Sequence, residues 1–147
     1  MSPVRLHRLL ARSEAVTWAL LLLGMFLKYV TETTELAVRV FGMAHGVVFI
    51  AYCLVTGMVW IDQKWSFGRF AAGIACAIPP FATLPFEASL AKHSLLSDAW
   101  RLRAQEPVSP LEKLVAFLVR KPWQGAAVGV VAVVGLTGVA LLVGPPA

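Results

Sequence analysis

From Trp123 to Val143 the chain runs without a single charged residue, and most of the positions are Gly, Ala or Val. Crossing the hydrocarbon core of a bilayer, about 30 Å, takes roughly 20 apolar residues as helix. A stretch of that length constrains the fold more than any short motif, because water offers it no stable exposed state. Three further stretches join it. Ala15 to Leu27 is uncharged and continues past Lys28 to Val30. Val40 to Ile61 carries His45 as its one titratable group of note, and Phe70 to Phe86 is uncharged but broken by Pro79, Pro80 and Pro85. Hydrophobic residues make up 59% of the 147 and charged residues 14%, against about 25% charged in soluble domains. There is too little polar surface to face water all round. The sequence predicts an all-α, polytopic membrane protein with about four transmembrane helices.

Charge sets an orientation and then contradicts it. Arg5, Arg8 and Arg12 place the N-terminus in the cytoplasm and read as the flank of a retained signal-anchor. "TETTEL" suits the outer side, and "DQKWSFGR", with Lys64 and Arg69, suits the inner side. If the third segment crosses, residues 88–121 lie outside, although they hold Lys92, Arg101, Arg103, Lys113, Arg120 and Lys121. Either Pro79-Pro80 turns this segment back as a re-entrant hairpin, or the first helices override the later charges. Four full crossings, with a helix kinked at Pro79 and Pro80, are favoured because residues 66–86 can cover the hydrocarbon. The net charge of +5 is accounted for by orientation and anionic headgroups, with no nucleic acid as partner.

Between the third and fourth segments, "SLAKHSLLSDAWRLRAQ" reads as a helix lying at the interface, with Trp100 at headgroup depth. Ser109, Pro110 and Glu112 form a capping-box start for a short helix, which Pro122 separates from the fourth span. Trp18, Trp60, Trp65 and Trp123 fall near span ends, as aromatic belts do.

Two sets of membrane residues are candidates for function. Gly42 and Gly46 on the second helix, and Gly125 and Gly129 on the fourth, have the four-residue spacing that lets helices approach closely. Glu14, Lys28, His45 and Glu87 are ionisable residues at membrane positions, which makes them functional candidates. Glu14 lies with Thr17, Trp18, Leu21, Met25 and Lys28 on one stripe of the first helix, a stripe expected to face other helices. A cluster of Lys28, His45 and Glu87 would handle protons or ions. The plain alternative is a neutral His45 donating one interhelical hydrogen bond, for instance to a carbonyl freed by the prolines. Cys53 and Cys76 read as small packing residues. The sequence has no nucleophile motif, P-loop or metal-binding spacing, so neither a metal nor a cofactor is expected; His7 and His93 fall outside the spans, which leaves haem without a second ligand.

"EAVTWALLLLGMFLKY", "GMAHGVVFIAY", "QKWSFGR" and "PPFATLPFE", in this order, resemble the small YdzA-like membrane proteins of bacteria, whose domain (DUF3817) has no assigned function. Ala82 stands where that pattern leads one to look for glycine. The resemblance covers about residues 1–90 and implies a three-helix domain in the bacterial inner membrane, with Glu14, Lys28, His45 and Glu87 at its polar membrane positions. Residues 91–121 then form an amphipathic connector, and 122–147 add a C-terminal helix. The leading functional expectation is a non-catalytic accessory or assembly subunit of a larger membrane complex, meeting lipid and either other integral membrane proteins or its own copies. The alternative is a small homo-oligomeric proton- or ion-coupled carrier or channel using His45 with Lys28 and Glu87.

Overall fold

The structure, a computed structural model, describes residues 1–144; the Pro145-Pro146 pair lies outside them. Among the described residues six α-helices follow one another: α1 (Pro3–Tyr29), α2 (Leu36–Asp62), α3 (Phe67–Ala75), α4 (Thr83–Lys92), α5 (Pro110–Arg120) and α6 (Pro122–Val143), with a 3-10 turn at Arg101–Arg103 before α5. Three helix starts are set by serines. Ser2, Ser66 and Ser109 each cap a helix by accepting from a backbone N–H three residues on. Glu112 completes the start of α5 by accepting from Val108 N–H at 2.8 Å.

Three helices, α1, α2 and α6, are long and apolar enough to cross a membrane. The class expected from the sequence therefore stands: an all-helical, multi-pass membrane protein. From Arg8 to Lys28 the rise of α1 is about 30 Å, one hydrocarbon thickness.

The third apolar segment differs from a kinked crossing. It is divided into α3 and α4, each too short to span, joined by a turn over residues 76–82. Both of its ends lie at the end of the bundle that holds the N-terminus of α1, here called basal. Trp65, just before α3, donates its indole N–H to the carbonyl of Leu95, just after α4, at 2.9 Å. The segment is thus a re-entrant helical hairpin. The reason is local: Pro79 and Pro80 cannot continue the α3 hydrogen-bond ladder, and Phe81 at φ 66° takes a left-handed conformation that reverses the chain.

That return removes the charge conflict. The connector after α4 stays basal, where Trp100 donates to the carbonyl of Met1 at 2.9 Å. Asp62, fully buried at the end of α2, accepts from the backbone N–H groups of Arg101 at 3.0 Å and Leu102 at 2.9 Å. Trp100 is 4% exposed, so it belongs to the basal core rather than the headgroup layer. In place of a helix over the "SLAKHSLLSDAWRLRAQ" stretch, α4 ends at Lys92 and the amphipathic helix preceding the last span is α5. Val59, Trp65, Leu90, Trp100, Leu102, Val115, Ala116 and Val119 form the core of this basal cap. Arginines of the connector point inward: Arg101 pairs with Glu112 at 2.6 Å, and Arg120 Nε donates to the Leu102 carbonyl at 2.8 Å.

A buried polar column as candidate functional site

The inner face of α1 presents His7, Ala11, Glu14 and Thr17, spaced by four, three and three residues so that all four lie on one side of the helix. His7, Ala11 and Glu14 have no exposed surface, and Thr17 has 9%. The hairpin docks on this stripe. Thr83 and Glu87, one turn apart on α4, meet Glu14 and His7 in antiparallel order.

Glu87 Oε2 accepts from His7 Nδ1 at 2.6 Å, and Arg8 Nε stands 3.5 Å from Oε1. On its other side His7 Nε2 lies 3.4 Å from the Thr56 hydroxyl, and Tyr52, Trp65 and Phe86 surround the ring. Seven residues farther along α1, about 10 Å of rise, Thr83 Oγ1 is 2.7 Å from Glu14 Oε2 and 3.2 Å from the Ala11 carbonyl. A hydroxyl has one proton to give. The shorter contact is the one to Glu14 Oε2, so Thr83 is shared between the carboxylate and the Ala11 carbonyl. Thr17 in turn donates to the Glu14 carbonyl at 2.9 Å and lies 3.1 Å from His45 Nδ1. With the Thr17 proton so used, His45 donates from Nδ1.

The expected cluster is therefore regrouped. Glu14 and Glu87 come to one face of α4. Lys28 is at the far end of α1, 3.8 Å from Glu35. His45 makes one hydrogen bond, to Thr17, and stacks at a tilt on Trp18 with centroids 4.5 Å apart. Placing Glu87 in the leaflet of Lys28 required a full third crossing, and the return of the hairpin puts it at the opposite end. The free-carbonyl donor is Tyr52 rather than His45: its hydroxyl donates to the Gly73 carbonyl at 3.2 Å. Pro79 and Pro80 sit exposed at the hairpin tip, and the Ala75 carbonyl is taken by Ile78 N–H in a tighter turn.

His7 was not singled out by sequence, because three arginines around it mark the segment as flanking. Its heptad distance from Glu14 was the available signal. Among the glycines, the close helix contact lies at Gly24, where an added Cβ would stand 2.9 Å from both Cα and N of Val38. Gly42 would make an ordinary contact with Leu21, and Gly46 and Gly129 have nothing within 4 Å. Gly125 is fixed by the turn from α5 to α6, where a Cβ would strike the Leu118 carbonyl. Among the described residues no group of three or more His, Cys, Asp or Glu gathers as a metal would require.

Known proteins share part of this chain. The chain is 53% identical over 75 residues to the membrane protein SCO5905 of Streptomyces coelicolor; the match is 50% of this chain and spans only 9% of that protein's length. It is 37% identical over 71 residues to the uncharacterised membrane protein YdzA of Bacillus subtilis, covering 48% of this chain and 73% of that one. No solved structure matches the chain. The family described as a domain of unknown function, DUF3817, matches residues 4–92, which hold α2 to α4, all of α1 but its first residue, and every member of the column; the chain belongs to that family.

Proposed function

We propose that this protein is a non-catalytic subunit of a larger membrane assembly, held to its partners through α6. The observation that carries the reading is the state of α6: none of its residues is buried against the rest of the chain. Gly129, Gly135 and Gly138 have nothing within 4 Å, so a neighbouring helix can approach the backbone closely there. A related segment also occurs within the much longer Streptomyces protein, as a reusable module would. Stoichiometric partners, or further copies of the chain, should be recovered from native membranes in mild detergent, and Gly129→Leu should release them without altering the fold. Recovery of the wild type as a solitary monomer would overturn the reading.

The membrane is the bacterial plasma membrane and the basal end faces the cytoplasm. Of the thirteen Lys and Arg residues only Lys28 and Arg39 lie at the opposite end, the bias that sets orientation. Reporter fusions at residue 64 and at residue 34 should report inside and outside respectively. A second reading, a proton-coupled carrier, is favoured by the column itself, with His7, Glu14, Glu87 and His45 aligned along the bundle. It requires a pH-dependent flux in liposomes that His45→Ala abolishes.

A further inference from the structure

The face of α1 opposite the column has its own pattern. Arg5, Arg8 and Arg12 fall within about 60° of one another at 100° per residue, and Leu9, Val16, Leu23 and Phe26 continue the same face. Arg5 and Arg12 are exposed, and the four apolar residues are 48–60% exposed. With Arg8 at the basal hydrocarbon boundary, Arg12 stands about 6 Å inside it and Arg5 about 4.5 Å outside. Among the described residues neither Arg5 nor Arg12 has a carboxylate within 4 Å, and Arg8 shares Glu87 with His7.

An exposed guanidinium at that depth is costly unless it reaches an anion in the headgroup layer. The planar fork of arginine fits phosphate oxygens two at a time. We propose that Arg5, Arg8 and Arg12 form a phosphate-binding site for an anionic phospholipid of the basal leaflet, whose acyl chains lie along Val16, Leu23 and Phe26. The apolar row selects a lipid over a soluble phosphate, because the same helix face that offers the cations continues directly into hydrocarbon. The assignment is independent of what docks on α6.

The test uses the full chain in mild detergent, with bound lipid counted by native mass spectrometry. Phosphatidylglycerol and phosphatidylcholine compete, and glycerol 3-phosphate and inorganic phosphate serve as soluble rivals. Wild type should retain phosphatidylglycerol in preference. The double variant R5A/R12A, which leaves Arg8 on Glu87, should lose about tenfold or more of that preference, at about fivefold per cation near a membrane surface. R5K/R12K should keep part of it, which separates loss of the site from loss of the fold. K113A/K121A, at the same end on α5 and its junction, should keep all of it. The proposal is overturned if R5A/R12A retains the wild-type preference, if both alanine pairs lose it equally, or if millimolar glycerol 3-phosphate displaces the lipid.

Discussion

Replacing Gly24 by alanine tests the packing of the two helices that carry the column. The new Cβ would lie 2.9 Å from Cα and N of Val38 and 3.0 Å from the Ala37 carbonyl carbon. All three atoms are backbone, so no side chain can swing aside, and α1 and α2 must separate by roughly 0.5–1 Å to restore ordinary contact. Overpacking of this kind costs about 1–3 kcal/mol, whereas exchanging glycine for alanine within a helix returns about 1 kcal/mol. Gly46→Ala supplies the reference, since nothing lies within 4 Å of that position and only the propensity gain applies. Subtracting one variant from the other cancels propensity and leaves the contact, so Gly24→Ala should be about 1–3 kcal/mol less stable than Gly46→Ala. Reversible unfolding in mixed micelles with increasing dodecyl sulfate, followed by circular dichroism, measures both. If Gly24→Ala proves as stable as Gly46→Ala, the close approach at Val38 does not exist and the α1–α2 geometry is wrong.

Asp62→Ala removes the acceptor for two backbone N–H groups at a fully buried position, a loss of about 2–4 kcal/mol; trypsin should then cut after Arg101 and Arg103 far faster than in wild type. Glu112 is held below its usual 4.5 by the Val108 N–H and then by Arg101. Its contribution is present above pH 4.5 and is lost as pH falls through the lower folded value, so the extra hydrogen-exchange protection of residues 100–110 over Glu112→Gln should vanish on acidification. His7→Ala leaves Glu87 with Arg8 alone at 3.5 Å, and losing the donor to a buried acceptor costs about 1–3 kcal/mol; alkylation of Cys76 in a Cys53→Ser background should accelerate as the hairpin loosens.

The long helices could be read directly, because the length of an uncharged apolar run is a local property of the chain. The route of the third segment could not. Seventeen uncharged residues from Phe70 to Phe86 suffice to cross, and the choice to return is made by contacts distant in sequence: Trp65 with Leu95, Thr83 with Glu14, Glu87 with His7. The conflict that signalled the return, six basic residues on what should have been the outer side, was visible in the sequence. Its resolution depends on the left-handed turn at Phe81, which no pattern of hydrophobicity encodes. The glycines show the same limit. Spacing drew notice to Gly42 and Gly46, but Gly24 meets its neighbour without a second glycine at four residues, so periodicity alone passed over it.

The return of the hairpin also explains why ionisable residues are buried in α1 and α4. In lipid, docking two apolar surfaces gains no hydrophobic free energy, since acyl chains are as apolar as leucine. A full crossing is held in place by its length against the two interfaces. The half-length helices α3 and α4 have no such constraint, and apolar contact alone would leave them free to slide or leave. Hydrogen bonds in a medium without competing water supply the missing attraction. Thr83 and Glu87 on α4, against Glu14 and His7 on α1, give two such contacts about 10 Å apart, which fix both the depth and the rotation of the hairpin. On this argument the column is first a latch. The carrier reading needs it to be more, and the two separate cleanly: a latch tolerates Glu14→Gln, whose amide oxygen can still accept from Thr83 Oγ1, while proton transport through Glu14 does not.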